Sequence, residues 1–137
     1  MGTRSTIALE YADGTVEQVY CHWDGYLAYN GKMLQEHYSN PFVLRDLIDL
    51  GDISSLKPTI GTKHAFSHFG TTLDQTAYDH LSGEMTTFYG RDRGEDAPFK
   101  VFPTLKKAEA YFEGSWCEYL YVFKYSKADD YQSGEWH

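Results

Sequence analysis

Cysteine is scarce in this chain. Only Cys21 and Cys117 occur among 137 residues, far apart and outside any CxxC spacing. The two could meet in space, but the expectation is a cytosolic protein with two reduced, buried thiols. Basic residues are also few, 12 Lys and Arg against 20 Asp and Glu, for a formal charge of −8. Duplex binding needs cations lined up on phosphates to release counterions, so direct binding to duplex nucleic acid is not expected. An acidic surface fits a soluble protein or one with a basic partner. No apolar run approaches the roughly 18 residues of a membrane span, and no basic-then-apolar segment opens the chain. Neither a membrane partner nor a secretory signal is expected, and the location read from this is cytoplasmic. HExxH, GK[ST] and a Gly-rich loop leading into a helix are missing too, so no cofactor is expected.

What the chain does hold is aromatic. Phe, Trp and Tyr make up 17% of it, with 12 Tyr, inside an apolar share of 42% and a charged share of 23%. That is a globular composition, long enough for one proper core. Tyrosine buries a ring and keeps a hydroxyl for a partner, which suits half-exposed sheets and also a homo-oligomer. No repeat, low-complexity run or linker divides the chain, so residues 1–137 read as a single α+β domain.

The stretch Val19-Tyr20-Cys21-His22-Trp23-Asp24-Gly25-Tyr26 organises the rest. Strand side chains alternate, so Val19, Cys21 and Trp23 share one face, suited to a core. Tyr20, His22 and Asp24 share the other, suited to a rim or a site. Before it, Thr3 to Tyr11 alternates as a half-buried strand, and Ala12-Asp13-Gly14-Thr15 supplies a turn, which predicts a β-hairpin over the first 24 residues. Leu27 to Tyr38 carries a helical seam whose start is weakened by Asn30-Gly31. Asn40 and Pro41 read as cap and first residue of a second helix, Pro41 to Leu50, burying Val43, Leu44, Leu47 and Ile48 and ended by Gly51. Asp52 to Pro58 is loop-like, and the weakly periodic run to about Gly83 reads as functional or interfacial. Met85 to Tyr89 and Phe99 to Phe102 are strand-like. Thr104 caps a third helix over Leu105 to Phe112. Trp116 to Tyr125 is a central strand covered on both sides, with Tyr119, Tyr121, Phe123 and Tyr125 on one face and Leu120 and Val122 on the other. The tail adds an edge strand through Trp136. The sheet is expected to be mostly antiparallel, with two consecutive short helices and the later third helix packed on it.

Four constellations carry chemistry. His64 and His68, four apart, put two imidazoles on one helical face, and His22 or Asp24 could supply a third metal ligand. Cys21 and His22 are strand neighbours on opposite faces, so they cannot form a thiolate–imidazolium pair, and a core thiol is the reading. Arg91 and Arg93, two of only four arginines, stand between glycines. On an extended segment their planar forks face one side and could clamp a phosphate or a partner's carboxylates. Acidic side chains could mimic phosphates, but they are dispersed, as on a solvated surface.

Gly2-Thr3-Arg4-Ser5-Thr6-Ile7, the run from Tyr20 to Tyr26, Leu34 to Tyr38, Leu47 to Ser54, Tyr89 to Glu95 and Glu118 to Phe123 together resemble a group of small proteins encoded widely in bacteriophages and prophages. The resemblance is weakest from Lys57 to Glu84, where a partner-specific surface could lie. It carries no catalytic role to any residue. It implies an accessory protein made in an infected bacterial cytoplasm. Such proteins act more often by occupying something than by catalysis.

The expectation is therefore a non-catalytic binding protein that inhibits or sequesters a bacterial host factor used in defence against phage. Its ligand would be a host protein or a small phosphorylated molecule, recognised by Trp23, Asp24, Tyr26, Arg91 and Arg93. On this reading, replacing both arginines by Ala abolishes binding and leaves the fold intact. The rival is a metal-dependent hydrolase or nuclease using His22, Asp24, His64 and His68. A third reading is an oligomeric structural or assembly protein.

Overall fold

A computed structural model describes residues 3–11, 13–61, 85–127 and 130–137. Its strands are β1 (Ser5–Glu10), β2 (Val16–Cys21), β3 (Ile53–Ser55), β4 (Thr87–Phe88), β5 (Lys100–Phe102), β6 (Tyr119–Lys127) and β7 (Asp130–Trp136). A π-helical turn, Leu27–Gly31, runs into α1 (Lys32–His37), and α2 (Pro41–Asp49), α3 (Tyr89–Arg93) and α4 (Leu105–Glu113) follow. The strands form one sheet in the order β4-β3-β2-β1-β6-β7, and β5 also pairs with β2. The α+β class expected from the sequence is the architecture observed.

The hairpin forms as its alternation predicts, with β1 and β2 antiparallel and Ile7 opposite Val19. The sheet as a whole is mixed rather than mostly antiparallel, because β6 lies parallel to β1. The chain path gives the reason. β5 runs antiparallel to β2 and so points the same way as β1 and β6. α4 then carries the chain back across the sheet, and such a crossover delivers its second strand parallel to its first.

Alternation along the strands makes two faces. On the first, Ile7, Leu9, Val19, Cys21, Tyr121 and Phe123 pack with Leu34, Tyr38, Leu44, Leu47 and Ile48 from the α1–α2 segment. Asn40 caps α2, its side chain accepting from the Phe42 N–H at 2.9 Å, and Pro41 occupies the first turn. Both helices are too short to persist alone, so this burial holds them. Each fully buried Leu or Ile contributes about 1.5–3 kcal/mol. On the second face, Ala8, Val16 and Val122 pack with Ala108 of α4, flanked by Phe102, Leu105 and Leu120. Thr104 caps α4 by accepting from the Lys107 N–H at 3.3 Å.

Several expectations need correction. Val43 is 37% exposed, since the buried stripe of α2 runs through Pro41, Leu44, Leu47 and Ile48 and Val43 stands off it. The segment after Gly51 holds a strand, β3, too short to show a period and fixed by pairing with β2 and β4. Trp23 leaves the core face because β2 ends at Cys21, and its ring is 43% exposed. Trp116 lies outside β6 and is 84% exposed. The Tyr125 side chain lies outside the described residues.

Candidate functional site

The site begins with a gap in the sheet. The outer edge of β2 pairs with β5 from Val16 to Gln18, and with β3 only from Cys21. Between them the Tyr20 N–H has no strand opposite, and it donates instead to Oδ1 of Asp52 at 2.9 Å. Gly51 makes this possible. Its φ of 87° ends α2 and turns the chain so that the Asp52 N–H reaches the Ala97 carbonyl at 2.9 Å. A Cβ at Gly51 would run into that same carbonyl oxygen.

On the second face the packing contributed by α4 covers Ala8, Val16 and Val122 and stops there. Beyond it lies a cleft of about 870 Å³ lined by Thr6, Gln18 and Tyr20 of the sheet and by Ala110, Tyr111, Gly114, Ser115, Trp116 and Cys117. Arg4, Lys100 and Asp52 supply its charge, two cations against one carboxylate. That balance is positive in a chain carrying −8 overall. Gln18 is only 3% exposed, and its Oε1 has no hydrogen-bond partner. An unpaired buried amide oxygen costs about 1–3 kcal/mol, and this one lies in the lining of the cleft.

The remaining groups are tuned by burial and by Arg4. The Tyr20 phenol lies 2.6 Å from Nδ1 of His22. Burial raises the Tyr20 pKa, against the pull of the neighbouring Arg4. Burial, and then the Arg4 charge, lower that of His22. The imidazole is therefore neutral near pH 7, and its tautomer decides which way the hydrogen bond between Nδ1 and the phenol runs. Burial also raises the Asp52 pKa, opposed by the Tyr20 N–H and by Lys100. The Lys100 ammonium stands 5.8 Å from the centroid of the Tyr111 ring.

The residues singled out from the sequence are distributed elsewhere. Trp23 and Tyr26, 43% and 41% exposed, flank Asp24, whose φ is 57°, in the turn after β2. None of the three lines the cleft. Arg91 is engaged inside the fold. Its Nη2 donates to the Thr86 carbonyl at 2.9 Å, its Nη1 to that of Gly61 at 3.2 Å, and its Nε to Oδ1 of Asp92 at 3.0 Å. The guanidinium carbon lies 4.6 Å from the centroid of Phe88, and the side chain is 13% exposed. The segment is also helical, so residues 91 and 93 do not share a face as they would on a strand. The Arg93 side chain lies outside the described residues.

Cys21 is fully buried, with its thiol pushed up to about 12 by burial, which makes it an inert core group. His64 and His68 lie outside the described residues. Among the described residues no group of three His, Cys, Asp or Glu side chains could hold a metal ion.

No family model, curated protein or solved structure matches the chain.

The cleft residues Arg4, Gln18, Lys100, Tyr111 and Trp116 escape the sequence analysis because they come from four separate segments. One local signal exists. Gln18 falls at an inward position between Val16 and Tyr20, where an amide is costly unless something pairs with it.

Proposed function

We propose that this protein acts by binding rather than by catalysis, and that it sequesters a small phosphorylated molecule in the cleft between the second face of the sheet and the end of α4. The carrying observation is charge placement: Arg4 and Lys100 line a concave site with one opposing carboxylate, in a chain that is otherwise strongly acidic. Guanidinium and ammonium groups are the standard partners of phosphate oxygens. A volume of about 870 Å³ lies within the range that encloses small organic ligands. The resemblance to small phage-encoded proteins supports a bacterial host as the source of the ligand and interference with host defence as the purpose of sequestration.

Calorimetric titration with inorganic pyrophosphate and with ribose 5-phosphate tests this. At least one should bind saturably, with affinity that falls as salt is raised. Arg4→Ala should weaken it about tenfold or more, the scale of one charge-assisted hydrogen bond, while circular dichroism and the urea midpoint stay close to those of the parent. Absence of saturable binding by either compound, or affinity untouched by Arg4→Ala and Lys100→Ala together, would overturn the proposal.

A further inference from the structure

Resting on that reading, we infer that the ligand carries a nucleobase, so that the cleft is a nucleotide site with the phosphate at Arg4 and the base against Tyr111 and Trp116. Trp116 is 84% exposed, yet its backbone is held on both sides. Ser115 Oγ donates to the Phe112 carbonyl at 2.7 Å and accepts from the Cys117 N–H at 3.2 Å. The Glu118 N–H is fixed to the Arg4 carbonyl at 2.8 Å. An indole displayed in water on pinned backbone, in a cleft that a second half-exposed ring at Tyr111 also lines, offers a stacking platform.

The other polar features of the cleft suit a base better than a bare sugar phosphate. Gln18 is buried in its lining with an amide oxygen that lacks a donor. A rotation of the side chain that brings this sealed oxygen to the cleft surface would let the amide pair in two-pronged fashion with a base edge that offers one donor and one acceptor. Tyr111 and Gly114 also bring the carboxyl end of α4 to this wall, where the helix dipole favours N–H donors over phosphate oxygens. The ligand is thereby oriented, its anionic end toward Arg4 and its base toward α4. A free nucleotide fits better than a nucleic-acid strand, because a net charge of −8 repels a long polyanion.

The test is titration of the full chain with AMP, GMP, CMP and UMP, with ribose 5-phosphate, and with a single-stranded octanucleotide, read by tryptophan fluorescence and calorimetry. At least one mononucleotide should bind about tenfold more tightly than ribose 5-phosphate, the scale of one base stacked on an aromatic ring. Trp116→Ala should bring that ratio toward one and leave ribose 5-phosphate affinity unchanged. Equal affinities of the parent for mononucleotides and ribose 5-phosphate would overturn the nucleobase inference while the anion site stands. Binding of the octanucleotide with no mononucleotide bound would overturn it in favour of a strand. Failure of every compound would remove the anion site as well.

Discussion

The two faces of this sheet come from the same strands and are finished differently. The first is closed by apolar packing: Ile7, Leu9, Cys21, Leu44, Leu47 and Phe123 are all fully buried, and of the polar groups admitted there the Tyr38 hydroxyl is paired with the Lys57 carbonyl at 2.6 Å while Oδ1 of Asn30 and Nε1 of Trp136 are not paired. The second is closed only where α4 reaches. Past its end the strands present Thr6, Gln18 and Tyr20, with an unpaired amide oxygen and a lone Asp52 carboxylate filling a missing ladder bond. A crossover of nine helical residues covers part of a face and leaves the remainder as a ready-made cleft. Stability resides on one side and the proposed binding on the other.

The sharpest way to break this division is to move an arginine from one class to the other. Arg91→Ala removes contacts to Thr86, Gly61 and Asp92, including the guanidinium side of a buried ion pair. Loss of one member of a buried ion pair costs about 3–5 kcal/mol. Urea denaturation should show that loss, with ligand affinity unchanged wherever the variant remains folded. A stable Arg91→Ala protein that no longer binds would instead restore Arg91 as a recognition residue. Asp52 comes next, because it serves both sides. Asp52→Ala orphans the Tyr20 N–H and should cost about 1–3 kcal/mol. Asp52→Asn keeps the accepting oxygen and removes the charge, so anion affinity should rise several-fold with the fold intact. Because burial raises the folded pKa of Asp52 above 3.8, stability in the parent is fully present below that value and is lost as pH rises through the folded pKa. The Asn variant should lack this component, and an affinity lower than the parent's would argue against an anionic ligand.

The hairpin, the Asn40–Pro41 cap and the helix after Thr104 were legible in the sequence because each is set by residues within a few positions of one another. Parallel placement of β6 was not, since it follows from where α4 crosses and not from the composition of Tyr119 to Lys127. The setting of Arg91 was hidden for a related reason. Arg91 looked available because glycines flank it, yet Asp92 reaches back to the Phe88 N–H at 2.8 Å, closes a helical turn and draws the guanidinium inward. Arg4 looked like a strand residue, and only the return of the chain at Glu118 reveals that it borders a cleft. Local chemistry sets the elements, and convergence of distant segments sets the site.

The smallest effect expected is at His22, and it tests whether the open face is tuned as described. Its folded pKa lies below the ordinary 6.5, through burial and then the Arg4 charge. The folded state therefore sheds a proton that the unfolded chain would hold. Stability carried by the neutral imidazole is present above about 6.5 and is lost as pH falls through the lowered value. His22→Gln keeps a hydrogen-bonding partner for Tyr20 and cannot be protonated. Urea midpoints of parent and variant, compared from about pH 7.5 down to about pH 5, should diverge, with the parent losing more stability toward acid. Carboxylates common to both proteins cancel in that difference. Curves that stay parallel across the window, or a parent that gains on the variant as pH falls, would mean that Arg4 and burial do not hold this imidazole neutral. A protonated imidazole would then donate from Nδ1 to the Tyr20 phenol oxygen.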